Sequence, residues 1–378
     1  MVTFGFLSTY PPTLCGLASF TASLRSALPP TAAGGVVRLV GAGGAPADGP
    51  PPAGVVGELV AGSPSGCHDA AELLSREDVA IVQFEDGVYG GPDGDEVLPV
   101  LAALTVPSVV VLRTVHPDPT PHQREVLDAV VSMAAAVVTM SESARTRLIE
   151  GYRVPADRVH VIPHGASDTV GPNAAPHKTQ QRQILTWGLL GPGKGIEWGI
   201  EAMSMLDDLR PKARYVIAGR THPTVLAREG ERYRQFLAAR AANVGVDERV
   251  HFDSRYLDAE SLRRLVARAE VVLLPYDSHD QVTSGVLAEA VASRTPVVAT
   301  RFPHAVELLA GGAGVLVNHH DPESIADALR LVLTNRPAAS RMANAAGMSA
   351  RSLGWASVAR EYCGLGASLA RTATPAVA

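Results

Sequence analysis

ILTWGLLGPGKGIEWGIEAM (Ile184–Met203) is the stretch on which the fold turns. A short apolar run, Ile184–Trp187, passes through a glycine-rich loop into IEWGIEAM, which has helical spacing. A strand that is apolar throughout, not alternating, is expected where both sheet faces are covered, as in parallel α/β proteins. The same unit recurs on either side. Downstream, Tyr215–Ala218, Val250–Phe252, Val271–Leu274, Val297–Thr300 and Val315–Val317 read as strands. Upstream, Val2–Leu7, Val36–Val40, Val55–Val60, Val79–Phe84, Ser108–Leu112, Ala136–Met140 and His160–Ile162 do so. Helix-period stretches lie between them, among them Leu17–Leu28, His122–Met133, Ser141–Gly151, Gly195–Leu206 and Leu257–Ala269. Strand and helix alternating at this spacing predict two doubly wound parallel sheets, with ligands in a cleft facing the carboxyl ends of the strands.

The polar, turn-rich segment Gly165–Thr179 is the expected boundary between the two. The domains are then predicted as 1–170, 171–355, and a final helix over 356–378 that returns to the first domain and ends in a frayed tail, Arg371–Ala378. Another low-complexity loop, GAGGAPADGPPPAG (Gly41–Gly54), lacks either periodicity.

The 378 residues are 46% hydrophobic and 19% charged, a globular balance with enough apolar material for two cores. A net charge of −5 leaves no basic footprint for nucleic acid. No apolar run approaches the roughly 18 residues of a membrane span, and the start lacks the pattern of a secretory signal. The three cysteines, Cys15, Cys67 and Cys363, are far apart and odd in number, which argues against a disulfide framework or a zinc knuckle. A cytoplasmic protein is the expectation, and a homo-oligomer is compatible with it.

Three glycine clusters bear on ligands. Gly41-Ala-Gly-Gly runs into prolines rather than a helix, so it has no helix N-terminus to hold a pyrophosphate. Gly188-Leu-Leu-Gly-Pro-Gly-Lys194-Gly195 has the phosphate-loop spacing, but Gly195 stands where a magnesium-binding hydroxyl belongs. A diphosphate held by Lys194 and free backbone N–H groups, without a metal, suits it better than a nucleoside triphosphatase. In the third, a strand ends at Leu274 and a helix starts near Ser284, offering unpaired N–H groups to an anion. Glu289, one turn in, reads equally as a ribose ligand or as an ordinary surface carboxylate.

Together these stretches resemble family 4 retaining glycosyltransferases of the two-domain GT-B architecture, over nearly the whole length. The likeness is carried by TYPPTLCGLASF (Thr9–Phe20), QFEDGVYGGPDG (Gln83–Gly94), HPDPTPHQREVL (His116–Leu127), PHGASD (Pro163–Asp168), GLLGPGKGIE (Gly188–Glu197), AGRTHP (Ala218–Pro223) and Gln281–Glu289. The resemblance implies a nucleotide-diphosphate sugar held mainly by the C-terminal domain and an acceptor on the N-terminal side. It gives Lys194 the donor diphosphate, Ser284, Gly285 and Val286 the helix start that donates N–H groups to it, and Glu289 the ribose. Gly16 matches the glycine that lets backbone approach the donor.

This sequence departs from the family pattern at three places. The first glutamate of E-x(7)-E is Gln281, and the arginine that usually precedes the lysine is Leu189; Arg220 is the candidate to replace that charge. The histidine expected near the transferred sugar aligns with Arg113, with His116 three residues on, and His116 is preferred of the two. His164 is read as ordering its own turn, and Trp187 and Trp198 as core. Glu85 and Asp86 are read as acceptor contacts or loop caps, and Tyr256, after Arg255, as a stacking partner for the base.

For such an enzyme the resemblance implies a front-face reaction with no protein nucleophile and no metal or other cofactor. The donor favoured is GDP-mannose, with UDP-glucose as the alternative, and the acceptor is a saccharide or small glycoside. A sugar-nucleotide epimerase of the same fold and a non-catalytic nucleotide-sugar binder are the competing classes.

Overall fold

A computed structural model describes residues 2–41, 52–167 and 182–373. The chain divides into two compact units, Met1–Gly165 with Trp355–Ala378, and Ala166–Gly354. The stretches expected as loop and boundary, Gly41–Gly54 and Gly165–Thr179, fall largely outside the described residues.

Among the described residues the first unit holds seven strands: β1 (Phe4–Ser8), β2 (Ala33–Val40), β3 (Val55–Val60), β4 (Val79–Phe84), β5 (Ser108–Leu112), β6 (Ala136–Thr139) and β7 (Val159–Val161). Their order across the sheet is β3-β2-β1-β4-β5-β6-β7. The second holds β8 (Arg182–Trp187), β9 (Ala213–Ala218), β10 (Val250–Asp253), β11 (Val271–Leu274), β12 (Val297–Thr300) and β13 (Gly314–Val317), ordered β10-β9-β8-β11-β12-β13. Every pairing is parallel. Both orders reverse direction beside the first strand of the unit, the topology of a Rossmann-like fold, and the reversal leaves a crevice at the strand ends.

The apolar runs are explained by which way successive residues face. In β11, Val271 and Leu273 enter one core, with Ile196, Ile200 and Met203. Val272 and Leu274 enter the core on the other face, with Leu287 and Val291. Side chains alternate across a strand, so a sheet covered on both faces needs apolar residues at every position. The first unit is built likewise, and the helix Trp355–Ala373 adds Val358, Ala359 and Tyr362 to its core beside Phe20 and Leu24.

Helix starts follow local chemistry. Thr120 and Gln123 form a reciprocal capping box at the Pro121–Met133 helix. Ser141, Asp258 and Asp321 each accept a backbone N–H at theirs. The C-terminus differs in part from the expectation. Arg371–Ala373 continue the last helix where a frayed tail was expected, and residues 374–378 of that tail lie outside the described residues.

Candidate functional site

In the second unit, the loops after β8 and β11 meet at the switch point. Gly195 lies in the left-handed region at φ +59°, and a Cβ there would sit 1.9 Å from the Pro275 carbonyl oxygen. Only glycine allows the lysine loop to lie this close to the loop that leaves β11. The Asp277 N–H donates to the Gly193 carbonyl at 3.0 Å and completes the join. Lys194 is thereby fixed with its ammonium 4.4 Å from the centre of the Tyr276 ring. No carboxylate pairs with Lys194 among the described residues. A cation steered by an aromatic face and left without a counter-ion suits an anionic ligand.

The helix Gly285–Ala292 begins beside this loop, and a Cβ on Gly188 would be 3.6 Å from Val286. Ser284 caps the helix, its hydroxyl accepting from Leu287 N–H. The Ser284 N–H itself donates to Nδ1 of buried His304 at 2.9 Å. That N–H, expected to face a ligand, is therefore occupied, and at this helix start the N–H groups of Gly285 and Val286 have no partner among the described residues. Burial pushes His304 down to about 4, so the ring is neutral and accepts this bond through Nδ1. The backbone N–H of His304 also donates to the Gln281 carbonyl. Gln281 turns its own amide onto the Thr283 carbonyl at 2.9 Å.

Glu289 lies one turn into the same helix. Its Oε1 accepts from the Ser167 N–H at 3.0 Å and the Ser167 hydroxyl at 3.2 Å. Burial raises its carboxyl from the ordinary 4.5 to about 7, although the bonds from Ser167 favour the ionised form. Glu289 is thus half-buried and tied on one oxygen.

Arg220 is exposed, and its carbonyl accepts from the Leu190 N–H at 2.8 Å, which ties the loop after β9 to the lysine loop. Tyr256 is exposed beside Arg255, whose guanidinium is engaged by Asp253 at 2.9 and 2.7 Å. Trp187 is buried as expected, whereas Trp198 is half-buried and donates its indole N–H to Asp277 at 2.9 Å. The indole thus helps hold the lysine loop and does more than fill the core. Asp277, Tyr276, His304 and Ser167 were not singled out by sequence. The signal available for the first three was their place just beyond a strand end.

In the first unit, Gly16 opens the helix Gly16–Ala27 after β1, capped by the Cys15 sulfur. The nearest atom to a Cβ at Gly16 would be Nη2 of Arg113 at 3.6 Å, an ordinary contact. Packing within the unit therefore does not demand glycine at this position. Arg113, just past β5, lies with its guanidinium 5.8 Å from the centre of the Phe20 ring. Its Nη1 is buried without a hydrogen-bond partner among the described residues, and burial lowers its pKa against the opposing pull of Glu85. His116 is held differently. Its Nε2 lies 2.6 Å from Asp86, and its carbonyl accepts from the Tyr152 hydroxyl at 2.9 Å. The structure thus brings Arg113, not His116, against Gly16. His164 is buried, packs on Phe20 and Trp355, and bonds the Gly165 carbonyl through Nδ1, as read for a turn residue.

Among the described residues, no group of three or more His, Cys, Asp or Glu is arranged to hold a metal ion. Among the same residues, no helix is long and apolar enough to cross a membrane.

Residues 171–347 match the family model described as Glycosyl transferases group 1. The D-inositol 3-phosphate glycosyltransferase of Corynebacterium efficiens is 31% identical over 247 residues, 61% of this chain and 55% of that protein. A glycogen synthase of Mycobacterium tuberculosis is 28% identical over 214 residues, 56% of this chain and 48% of that protein. The chain spans about half the length of the curated relatives it matches. Among solved structures, Anabaena HepE in complex with UDP superposes with a TM-score of 0.73 at 16% identity, over 97% of this chain and 100% of that one. WaaG, described as involved in lipopolysaccharide biosynthesis, gives 0.66 at 18% identity, over 96% and 99%. A UDP-forming trehalose-phosphate synthase of Burkholderia xenovorans gives 0.69 at 16%, over 98% and 100%. The fold is therefore the two-domain GT-B fold, and its C-terminal unit carries a group 1 glycosyl transferase segment.

Proposed function

We propose that this GT-B protein is a retaining glycosyltransferase that moves a hexose from a nucleotide-diphosphate sugar to a saccharide or small glycoside. The observation that carries the reading is the switch point of the second unit. There an ammonium (Lys194) and two N–H groups (Gly285 and Val286), all without a partner among the described residues, stand with a half-buried carboxyl (Glu289) on the lysine loop and on the helix that follows the loop hydrogen-bonded to it. The first two suit a diphosphate, and the last suits the vicinal hydroxyls of a ribose. Gly16 supports it, since its missing side chain answers no need of the unit's own packing.

In this reading the leaving diphosphate takes the acceptor's proton on the same face of the sugar, and no protein nucleophile is needed. The protein orients the two substrates and stabilises the charge gathering on the leaving group. Lys194 and the Gly285–Val286 amides do the latter, with Arg220 as a further cation. Gln281 keeps a hydrogen bond to the sugar, Tyr256 stacks on the base, and His116 or Arg113 serves the transferred sugar. GDP-mannose is the donor we favour from the sequence resemblance. UDP-glucose is the second reading, supported by the HepE structures that hold UDP and UDP-glucose. The names of the closer sequence relatives make a phosphorylated inositol one acceptor to include. We further propose a cytoplasmic enzyme that needs no metal.

A melting-temperature screen of GDP, UDP and ADP with their sugar conjugates tests the donor, because a ligand of the native state raises stability. A rise with a nucleoside diphosphate, followed by sugar transfer in excess chelator, is expected. No shift with any of them would contradict the reading.

A further inference from the structure

Glu289 is held from far away in the chain. Its Oε1 takes both donors that Ser167 has to offer, across 122 positions of sequence. Its Oε2 has no partner among the described residues. Ser167 is itself well anchored: the N–H of Ala166 donates to the Leu353 carbonyl at 2.7 Å, and Ala166 pairs with Gly354. The strand of chain entering the second unit is thus fixed against the strand leaving it, and the Ser167 hydroxyl is fixed with it. The charge facing the carboxylate is Arg263, whose attraction is the smallest influence on it, behind both Ser167 bonds.

We infer that Ser167 is a positioning residue for nucleotide recognition: by saturating Oε1 it fixes the carboxylate of Glu289 and leaves Oε2 as the acceptor for a ribose hydroxyl. A carboxylate free to turn would present either oxygen in many orientations, and ordering it would count against binding. Held on one side, it meets the ligand already oriented. The Ser167 bonds also favour the ionised form of a carboxyl that burial has raised to about 7, so they keep more of it charged at neutral pH. This inference rests on the reading that the second unit binds a nucleoside diphosphate.

The test uses the full chain and calorimetric titration with GDP and UDP, each beside its 2′,3′-dideoxy counterpart. Ser167→Ala should weaken the ribonucleotide roughly fivefold, the worth of one ordinary hydrogen bond, and leave the dideoxy form unchanged. Ser167→Thr, which keeps the hydroxyl, should restore the affinity. The pH midpoint for ribonucleotide binding should rise in Ser167→Ala, because a bond to the ionised form is gone. Equal loss for both nucleotides, or no loss for either, overturns the role of Ser167 while the nucleotide reading stands. Wild type that binds none of the four overturns both.

Discussion

Replacing Glu289 by Gln should stabilise the free protein, and increasingly so as the pH rises. Burial lifts the carboxyl from its ordinary 4.5 to about 7 in the folded state. An acid with a raised folded pKa binds its proton more tightly in the native state. Stability is then complete below pH 4.5 and falls as the pH climbs through 7. A difference of this size corresponds to about 3 kcal/mol once both states are ionised. By the same linkage, about 2.5 kcal/mol of it develops between pH 5 and pH 8. Gln occupies the same volume, keeps an oxygen for the two Ser167 bonds, and never ionises. The advantage of Glu289→Gln should therefore be small at pH 5 and grow by about 2.5 kcal/mol by pH 8. Urea unfolding at the two pH values, followed by tryptophan fluorescence, measures it. An advantage independent of pH, or a less stable variant at pH 8, would refute the reasoning. The same variant should bind nucleoside diphosphate more weakly, because a charge-assisted acceptor for the ribose is lost. A residue that costs stability and is kept for a ligand is the signature expected of a binding site.

Further outcomes follow from the same geometry. Lys194→Ala should weaken nucleoside diphosphate binding roughly tenfold to a hundredfold, the range for a hydrogen bond to a charged group, and leave binding of the phosphate-free nucleoside alone; calorimetry that shows no change would remove Lys194 from the diphosphate. Gly195→Ala should lower the urea midpoint measurably, because the Pro275 carbonyl at 1.9 Å from the new Cβ is backbone and must be displaced; an unchanged midpoint would mean that the two loops are not joined as described. His116→Ala should reduce kcat while leaving nucleoside diphosphate affinity nearly intact, with a milder loss for Arg113→Ala; normal turnover in His116→Ala beside a loss in Arg113→Ala would assign the role to the arginine that lies against Gly16.

The strands were legible because the sheets are parallel and buried on both faces. Val271–Leu274 is apolar without interruption, Val79–Phe84 is broken only by Gln83, and both have the bounds read from sequence. Helix ends were legible where a capping residue stood, as at Ser284 and Ser141. The lysine loop could be read as an anion loop because Gly195 and Lys194 sit between a strand and a helix. The clamps around it could not be read. His304 reaches Ser284 across 20 positions and Ser167 reaches Glu289 across 122. Pairings so distant in sequence leave no local periodicity; they are set by strand order. For the same reason the Ser284 N–H was expected to be free. The cap hydroxyl is a local signal, whereas the imidazole that takes the N–H arrives from the far side of β12. Trp198 was expected to be core because its polar edge finds a partner only when the loop after β11 brings Asp277 to it.

The most direct test of the account is the anomeric configuration of the product. The protein is incubated with GDP-mannose or UDP-glucose and a panel of saccharides, small glycosides and inositol 3-phosphate, and the product is read by proton NMR. The account predicts release of the nucleoside diphosphate in step with a new glycoside that keeps the donor's α configuration. A β-linked product, or an epimerised nucleotide sugar with nothing transferred, would contradict it.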